Sequence, residues 1–314
     1  MLKLPDHWVW DSWPVQTDDG DTHLFFLRAS RALLDPERRH RRASIGHARS
    51  TDLVEWELLP DALVTADAPA WDDGSTWTGS VVRGDDGVWR LFYTGVTRDE
   101  DWLIQRVGVA TSEDLIAWHR PTDQPLLETD KRWYETYTPG AWHDEAWRDP
   151  WVFKAEDGRW HMLLTARVPD GDPMGRGVIG HAVSDDLETW ETNPPLSSPA
   201  GWGQMEVPQA VVVDGQPFLL FCCGTAHEDE RRRAQATGGM WFAPGESLLG
   251  PWDFDAAGTL DHPSLYAARL IERAPDDWVI VGFSSEVDGE FEGIILDPLP
   301  VVRDGRRLRI DTLG

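Results

Sequence analysis

Cysteine and lysine are scarce in this chain of 314 residues, and long apolar runs are missing. The two cysteines, Cys222 and Cys223, are adjacent. Neighbours in a strand point to opposite faces, so this pair is poorly placed for a disulfide. No C-x-x-C pair or Cys/His spacing of a zinc site occurs. No stretch approaches the roughly 18 apolar residues of a membrane helix, and the N-terminus MLKLPDHWVWDSWP has no apolar signal region. The expectation is a cytoplasmic protein without a membrane partner. Lysine occurs three times (Lys3, Lys131, Lys154), against 55 Asp and Glu, and the formal net charge is -26. Binding phosphate backbones needs basic surface, so nucleic acid is not an expected partner. A salt-adapted protein and a GC-rich genome both give this composition, and the two readings stay open. Also missing are a Gly-rich phosphate loop, a G-x-S-x-G elbow and a D-x-D-x-D-G calcium loop, so no cofactor and no metal are expected.

Tryptophan is abundant, with 19 residues, and a repeat accounts for several of them. Ile45-Gly46-His47-Ala48 leads through Asp52-Leu53 to Trp56. Val107-Gly108-Val109-Ala110 leads through Asp114-Leu115 to Trp118, and Ile179-Gly180-His181-Ala182 through Asp186-Leu187 to Trp190. A weaker fourth copy runs from Gly239 to Trp252. Apolar segments His23–Leu27, Trp89–Thr94, Trp160–Thr165, Pro217–Phe221 and Trp278–Phe283 each follow an acidic or Gly-containing turn, such as Asp85-Asp86-Gly87 or Asp214-Gly215. Asp-Gly between apolar runs signals a hairpin. The unit is therefore strand, tight turn, strand, loop, strand, Asp-Leu turn, strand. It recurs five times, and radially repeated four-stranded units make a β-propeller. The expected fold is all-β: one five-bladed β-propeller domain over residues 1–314. The tail Val301–Leu313 is expected to close the ring onto the first blade.

Counting back nine residues from the turn glycines Gly20, Gly87, Gly158 and Gly215 reaches Asp11, Thr78, Asp149 and Glu206. The first strand of each blade lines the channel of a propeller, so these positions converge on one funnel. Three converging carboxylates repel one another and resist desolvation, an arrangement kept for chemistry or for a cation. Paired carboxylates suit retaining glycoside hydrolysis, one attacking the anomeric carbon and one protonating the leaving oxygen. The bland alternatives are a turn-forming Asp11, an Asp149 that fixes the bend before Pro150, and a Glu206 paired with an arginine.

At these residues the sequence resembles a known family. Trp10-Asp11-Ser12-Trp13-Pro14 is similar to the nucleophile motif of levansucrases (glycoside hydrolase family 68), and Arg148-Asp149-Pro150 to the Arg-Asp-Pro motif shared with the invertase family (32). Trp77-Thr78-Gly79-Ser80 is similar to their Trp-Ser-Gly-Ser segment, and Met205-Glu206-Val207-Pro208 stands where they place the acid/base glutamate. The resemblance covers nearly the whole chain. It implies a five-bladed propeller acting on sucrose or fructo-oligosaccharides by hydrolysis or fructosyl transfer; in departure from invertases, no C-terminal β-sandwich is expected. It implies Asp11 as nucleophile, Asp149 as stabiliser and Glu206 as acid/base. Trp10, Trp77, Thr78, Ser80, Arg148, Gln204 and Tyr266 are the implied or expected substrate-binding residues. Three positions depart from the pattern: Val207 replaces the usual Arg or Cys, Gln204 an acidic residue, and Thr78 a Ser. They bear on leaving-group choice and on the balance of hydrolysis and transfer.

The competing readings are an inverting arabinofuranosidase- or xylosidase-like propeller and a sugar-binding propeller without turnover. Arg38–Arg42 (RRHRR) reads as a solvated loop in blade one, with a phosphorylated-sugar site as the sharper reading. Arg231–Arg233 reads as a charged loop able to reach over the funnel, and His143 and His181 as residues able to line it.

Overall fold

The computed structural model describes residues 1–236, 238–287 and 289–311. Five antiparallel sheets form a ring, a five-bladed β-propeller. Blade one is β1 (His7–Gln16), β2 (Thr22–Ser30), β3 (Ser44–Ser50) and β4 (Glu57–Leu63). Blade two is three-stranded: β5 (Ser75–Arg83), β6 (Trp89–Val96) and β7 (Arg106–Ser112). Its expected fourth strand is reduced to an isolated bridge between Thr111 and His119. Blade three comprises β8 (Trp147–Lys154), β9 (Trp160–Arg167), β10 (Gly177–Ser184) and β11 (Glu191–Asn193). Blade four comprises β12 (Glu206–Val213), β13 (Gln216–Cys223), β14 (Gly239–Pro244) and β15 (Gly258–Thr259). Blade five comprises β16 (Leu265–Ala274), β17 (Asp277–Ser284), β18 (Ile294–Ile295), β19 (Leu299–Asp304) and β20 (Arg307–Ile310).

The repeat has a physical meaning at each position. The Asp side chain caps the turn: Asp52 Oδ1 accepts from Val54 N and Glu55 N, both at 2.9 Å. Asp114 and Asp186 do the same for their own turns. Leu53, Leu115 and Leu187 then sit in the left-handed region, at φ of 64°, 64° and 65°, where the capping bonds offset the strain. The Trp bolts the blade to its predecessor. Trp118 of blade two packs edge-on against Phe25 of blade one, and Trp190 of blade three against Phe92 of blade two, both with centroids 5.6 Å apart. Each such pair contributes about 0.5–1.5 kcal/mol beyond area burial. The repeat Gly is required by close approach, since a Cβ on Gly46 would lie 2.5 Å from the Phe26 ring.

Two expectations change. The tail does not close the ring onto blade one: β19 and β20 complete blade five, and residues 312–314 lie outside the described residues. Closure falls instead to the N-terminal segment, where Leu2 exchanges two backbone hydrogen bonds with Ile295, at 2.9 and 3.0 Å, and Val9 N donates to Gly293 O at 3.1 Å. The tail is taken up within blade five, where β19 pairs with β17 and β20 pairs with β19. Cys222 and Cys223 are free and buried, and they pack in different core clusters.

Candidate active site

Each innermost strand breaks register near its start. The irregularities lie between Trp10 and Ser12, Trp77 and Gly79, Arg148 and Trp151, Glu206 and Gln209, and Tyr266 and Arg269. A bulge re-aims side chains and is common beside active sites. Asp11, Asp149, Val207 and Ala267 occupy it at φ of 28°, 58°, 52° and 43°. Positive φ at such residues costs about 1–3 kcal/mol each and persists where the surroundings over-determine it.

This frame corrects the residue count. Asp11 and Asp149 occupy the same repeat position as Thr78, but the equivalent residue in blade four is Val207. Glu206 stands one place earlier, level with Trp10, Trp77, Arg148 and Tyr266. Blades one to three close their inner hairpins with longer loops, the last pairs being Gln16–Thr22, Arg83–Trp89 and Lys154–Trp160. Blade four turns on Asp214 and Gly215 alone, between Val213 and Gln216. Its strand runs one residue further, which only partly compensates, so a fixed count overshoots by one.

The three carboxylates nonetheless line one cavity of about 580 Å³, together with Trp10, Trp77, Thr78, Arg148, Gln204 and Tyr266. That volume suits a small-molecule ligand. Thr78 Oγ1 donates to Asp11 Oδ2 across the seam between blades one and two. Asp149 Oδ2 accepts from Thr165 Oγ1 at 2.7 Å and from Val207 N at 3.1 Å, and Thr94 Oγ1 accepts from Asp149 N at 2.9 Å. Arg148 Nη2 donates to Glu206 Oε1 at 2.7 Å and Gln204 Oε1 at 2.8 Å, while Nη1 donates to Gln105 Oε1 at 3.1 Å. Tyr266 Oη donates to Glu206 Oε2 at 2.6 Å. Trp77 Nε1 donates to His40 O at 2.8 Å, and Trp10 lies 5.7 Å beneath the Arg39 guanidinium.

Burial governs the charge state. It pushes the Asp11 carboxyl up to about 7, against the Thr78 hydrogen bond, and the nearby charges of Asp149 and Glu206 add to the rise. Burial also raises Asp149, although Arg148 opposes it. Burial would raise Glu206 too, but Arg148 and the Tyr266 hydroxyl overcome it and hold this carboxyl below its ordinary range. Burial keeps the Tyr266 phenol protonated, and so a donor. Burial thus favours the neutral form of Asp11 and Asp149, and among the three carboxyls Glu206 is the one held toward its ionised form.

Other expected residues lie elsewhere. Ser80 does not line the cavity: it sits past the bulge, and its Oγ accepts from Val152 N of blade three at 3.1 Å, so it joins neighbouring strands. His181 is sealed against His161, with Nε2 2.9 Å from Nδ1. Arg231–Arg233 do not cover the funnel. They belong to a short helix, α1 (Glu230–Gln235), and Arg232 stacks 3.7 Å over Trp202 while donating to Ala200 O. The Arg38–Arg42 segment is more than a solvated loop. It forms most of a 3-10 helix, Pro36–Arg41, whose Glu37, Arg39 and His40 wall the funnel. His143 lines the cavity, as expected, beside His227, with ring centroids 5.3 Å apart. Sequence reading missed Gln105, Asp144 and His227, which also face it. They come from segments between strands, where no periodic pattern marks a side chain's direction.

Comparison with known proteins agrees with this architecture. A sequence model described as "Glycosyl hydrolases family 32 N-terminal domain" matches residues 4–294. The chain is similar to "Beta-fructofuranosidase, insoluble isoenzyme CWINV6" of Arabidopsis thaliana, at 30% identity over 94% of this chain and 54% of that protein. It thus spans about half the length of that relative. It is 26% identical to "Extracellular sucrase" of Zymomonas mobilis, over 80% of this chain and 70% of that protein. Among solved structures it is similar in fold to the inulosucrase from Halalkalicoccus jeotgali bound to kestose, with a TM-score of 0.78 and 22% identity over 99% of this chain and 90% of the other. The levansucrase from Gluconacetobacter diazotrophicus gives a TM-score of 0.78 at 16% identity, over 99% and 82% of the two chains. With a family match over residues 4–294, this chain belongs to glycosyl hydrolase family 32.

Proposed function

We propose that the funnel cleaves β-fructofuranosides such as sucrose through a covalent fructosyl-enzyme. The observation that carries this reading is the convergence of Asp11, Asp149 and Glu206, from three blades, on one cavity. Asp11 attacks the anomeric carbon of the fructosyl unit as Glu206 protonates the glycosidic oxygen, and the carbon–oxygen bond to the leaving sugar breaks. Glu206 then takes a proton from water or from a sugar hydroxyl, whose oxygen attacks the same carbon and frees Asp11. Two displacements on one carbon retain its configuration. Asp149, fixed by Thr165 and Val207 N, accepts from sugar hydroxyls and strengthens that grip as positive charge develops on the ring.

Burial biases Asp11 toward its neutral form and Arg148 biases Glu206 toward its ionised form, the reverse of what this reaction needs, and a bound sugar would redress that bias. Arg148 pairs with Glu206. A fructoside that draws Arg148 onto its own hydroxyls releases Glu206 to take up a proton and leaves Asp11 ionised. Incubation with sucrose tests the reading: equal release of glucose and fructose signifies hydrolysis, and excess glucose signifies transfer. A protein that releases neither, from sucrose or from fructo-oligosaccharides, has another activity. Product configuration separates the retaining route from an inverting one.

A further inference from the structure

The bulge at the head of blade four serves two of the three carboxylates. Glu206 immediately precedes it, and Val207 N donates to Asp149 Oδ2 at 3.1 Å. Thr165 Oγ1, the other donor to Asp149, also donates to Met205 O at 3.1 Å. The pairing of β12 with β13 passes from Glu206 to Gln209, so Val207 and Pro208 stand outside the ladder. Their carbonyls are taken by one side chain of another blade. Arg269 of β16 donates through Nη1 to Val207 O at 3.0 Å and to Pro208 O. The same guanidinium stacks 4.8 Å over the Trp151 ring of blade three. Arg269 is fully buried and is not part of the wall of the catalytic cavity, so it reaches a bound sugar only through other residues.

Arginine is a costly choice for this place. Counted from the bulge, it stands level with Trp13, Ser80, Trp151 and Gln209, and no other blade uses a charge there. The seam between blades four and five is already closed by Gln209, whose Nε2 donates to Leu270 O at 2.9 Å and whose Oε1 accepts from Leu270 N at 2.8 Å. Nε and Nη2 of Arg269 find no protein acceptor among the described residues, and a buried charge with incomplete hydrogen bonding opposes folding. Burial pulls the guanidinium down to about 10, with Asp149 and Asp11 resisting, so it stays a cation at neutral pH. What the arginine supplies is a grip on the peptide segment whose N–H holds Asp149. Besides burial, the leading influences on the Asp149 proton are Arg148, Glu206, Thr165 and that same N–H, so Arg269 acts on this carboxyl through Val207.

We propose that Arg269 is a positioning residue for cleavage of the fructoside: it fixes the Val207–Pro208 bulge and, through it, the aim of Asp149 and Glu206. The kinetic test rests on the proposed fructosidase activity. The grip of Asp149 on the sugar tightens in the transition state, so its loss falls on kcat rather than KM. Arg269→Met removes the donors and keeps the length of the side chain. Its kcat on sucrose is expected to fall about 100-fold, with KM within about 3-fold of wild type. Arg269→Lys keeps a cation with three donors and is expected to restore kcat to within about 5-fold of wild type. An unchanged kcat in Arg269→Met, a loss carried by KM, or a lysine variant no better than the methionine one overturns the proposal. Urea midpoints report whether the variants fold, and Arg269→Gln replaces the methionine variant if that one does not. Loss of the fold in both neutral variants also overturns the proposal, because Arg269 is then a structural residue. A wild type that cleaves no fructoside defeats the fructosidase reading alone. Carbon-13 NMR of labelled aspartate then still decides: Asp149 is expected to titrate at a pH about 1 higher in Arg269→Met than in wild type or Arg269→Lys. An unmoved titration overturns the proposal.

Discussion

The hydroxyl of Tyr266 in blade five donates to Glu206 Oε2 at 2.6 Å, while Arg148 of blade three holds the other carboxylate oxygen at 2.7 Å. Both donors favour the ionised carboxylate and lower its affinity for a proton. Tyr266→Phe removes one donor and keeps the ring. Glu206 then holds its proton to higher pH, so the alkaline limb of the pH–kcat profile on sucrose moves upward, with kcat down about 10-fold. An unmoved limb would show that another group supplies the proton.

Thr78 acts on Asp11 in the same sense. Its hydroxyl favours the ionised carboxyl, which burial has raised to about 7. Thr78→Val keeps the shape, removes the donor and raises this group further. Since attack needs the carboxylate, the acid limb of kcat/KM moves to higher pH. At pH 6 the variant is expected to run about 10-fold slower than wild type and to recover much of that at pH 8. The limbs belong to the coupled trio rather than to one residue, so the direction of the shift is the diagnostic.

Asp11→Asn and Glu206→Gln are each expected to cut sucrose turnover by about three orders of magnitude or more while the protein stays folded. Asp11→Asn should also stabilise it. The folded protein holds a proton that the unfolded chain releases near pH 4, so this carboxyl's contribution falls as pH rises from about 4 to about 7 and stays unfavourable above. At pH 8 the neutral amide removes that penalty, a gain of about 1–3 kcal/mol, visible as a higher midpoint in urea. A lower midpoint would contradict the buried-charge account.

Two histidine pairs predict acid sensitivity. His23 Nδ1 lies 2.8 Å from His47 Nε2 in blade one, and His161 Nδ1 lies 2.9 Å from His181 Nε2 in blade three. Burial lowers His47 to about 3 and His181 to about 4. Below pH 6.5 the unfolded chain takes up protons that the folded state refuses, so this stability is complete above 6.5 and is lost as pH falls toward 4. Asp11 and Asp149 work in the opposite direction over part of this range. The test is therefore a difference: the drop in urea midpoint from pH 7 to pH 5 should be smaller in His47→Gln/His181→Gln than in wild type.

Repeat spacing made the propeller legible, because a capped Asp-Leu turn and a bolting Trp are local devices that blades one to three each spell out. The aspartates were legible for the same reason: Asp11 and Asp149 share one place in the unit. Glu206 was reached through a count that the short Asp214-Gly215 turn puts out of step by one residue, and the resemblance of Met205-Glu206-Val207-Pro208 pointed to the same glutamate. Ser80 sits in a family-like segment, yet strand direction carries it past the funnel to Val152.

The sequence by itself determined the five-fold repetition, the hairpins and the residue types offered at the head of each inner strand, since these follow from short-range periodicity and turn chemistry. Only the tertiary structure decided which of them meet. Arg148 reaches Glu206 and Thr78 reaches Asp11 across seams between blades, and Gln105, Asp144 and His227 arrive from irregular segments. The N-terminal segment, and not the tail, closes the ring. Such contacts join residues far apart in the chain, and no local pattern records them.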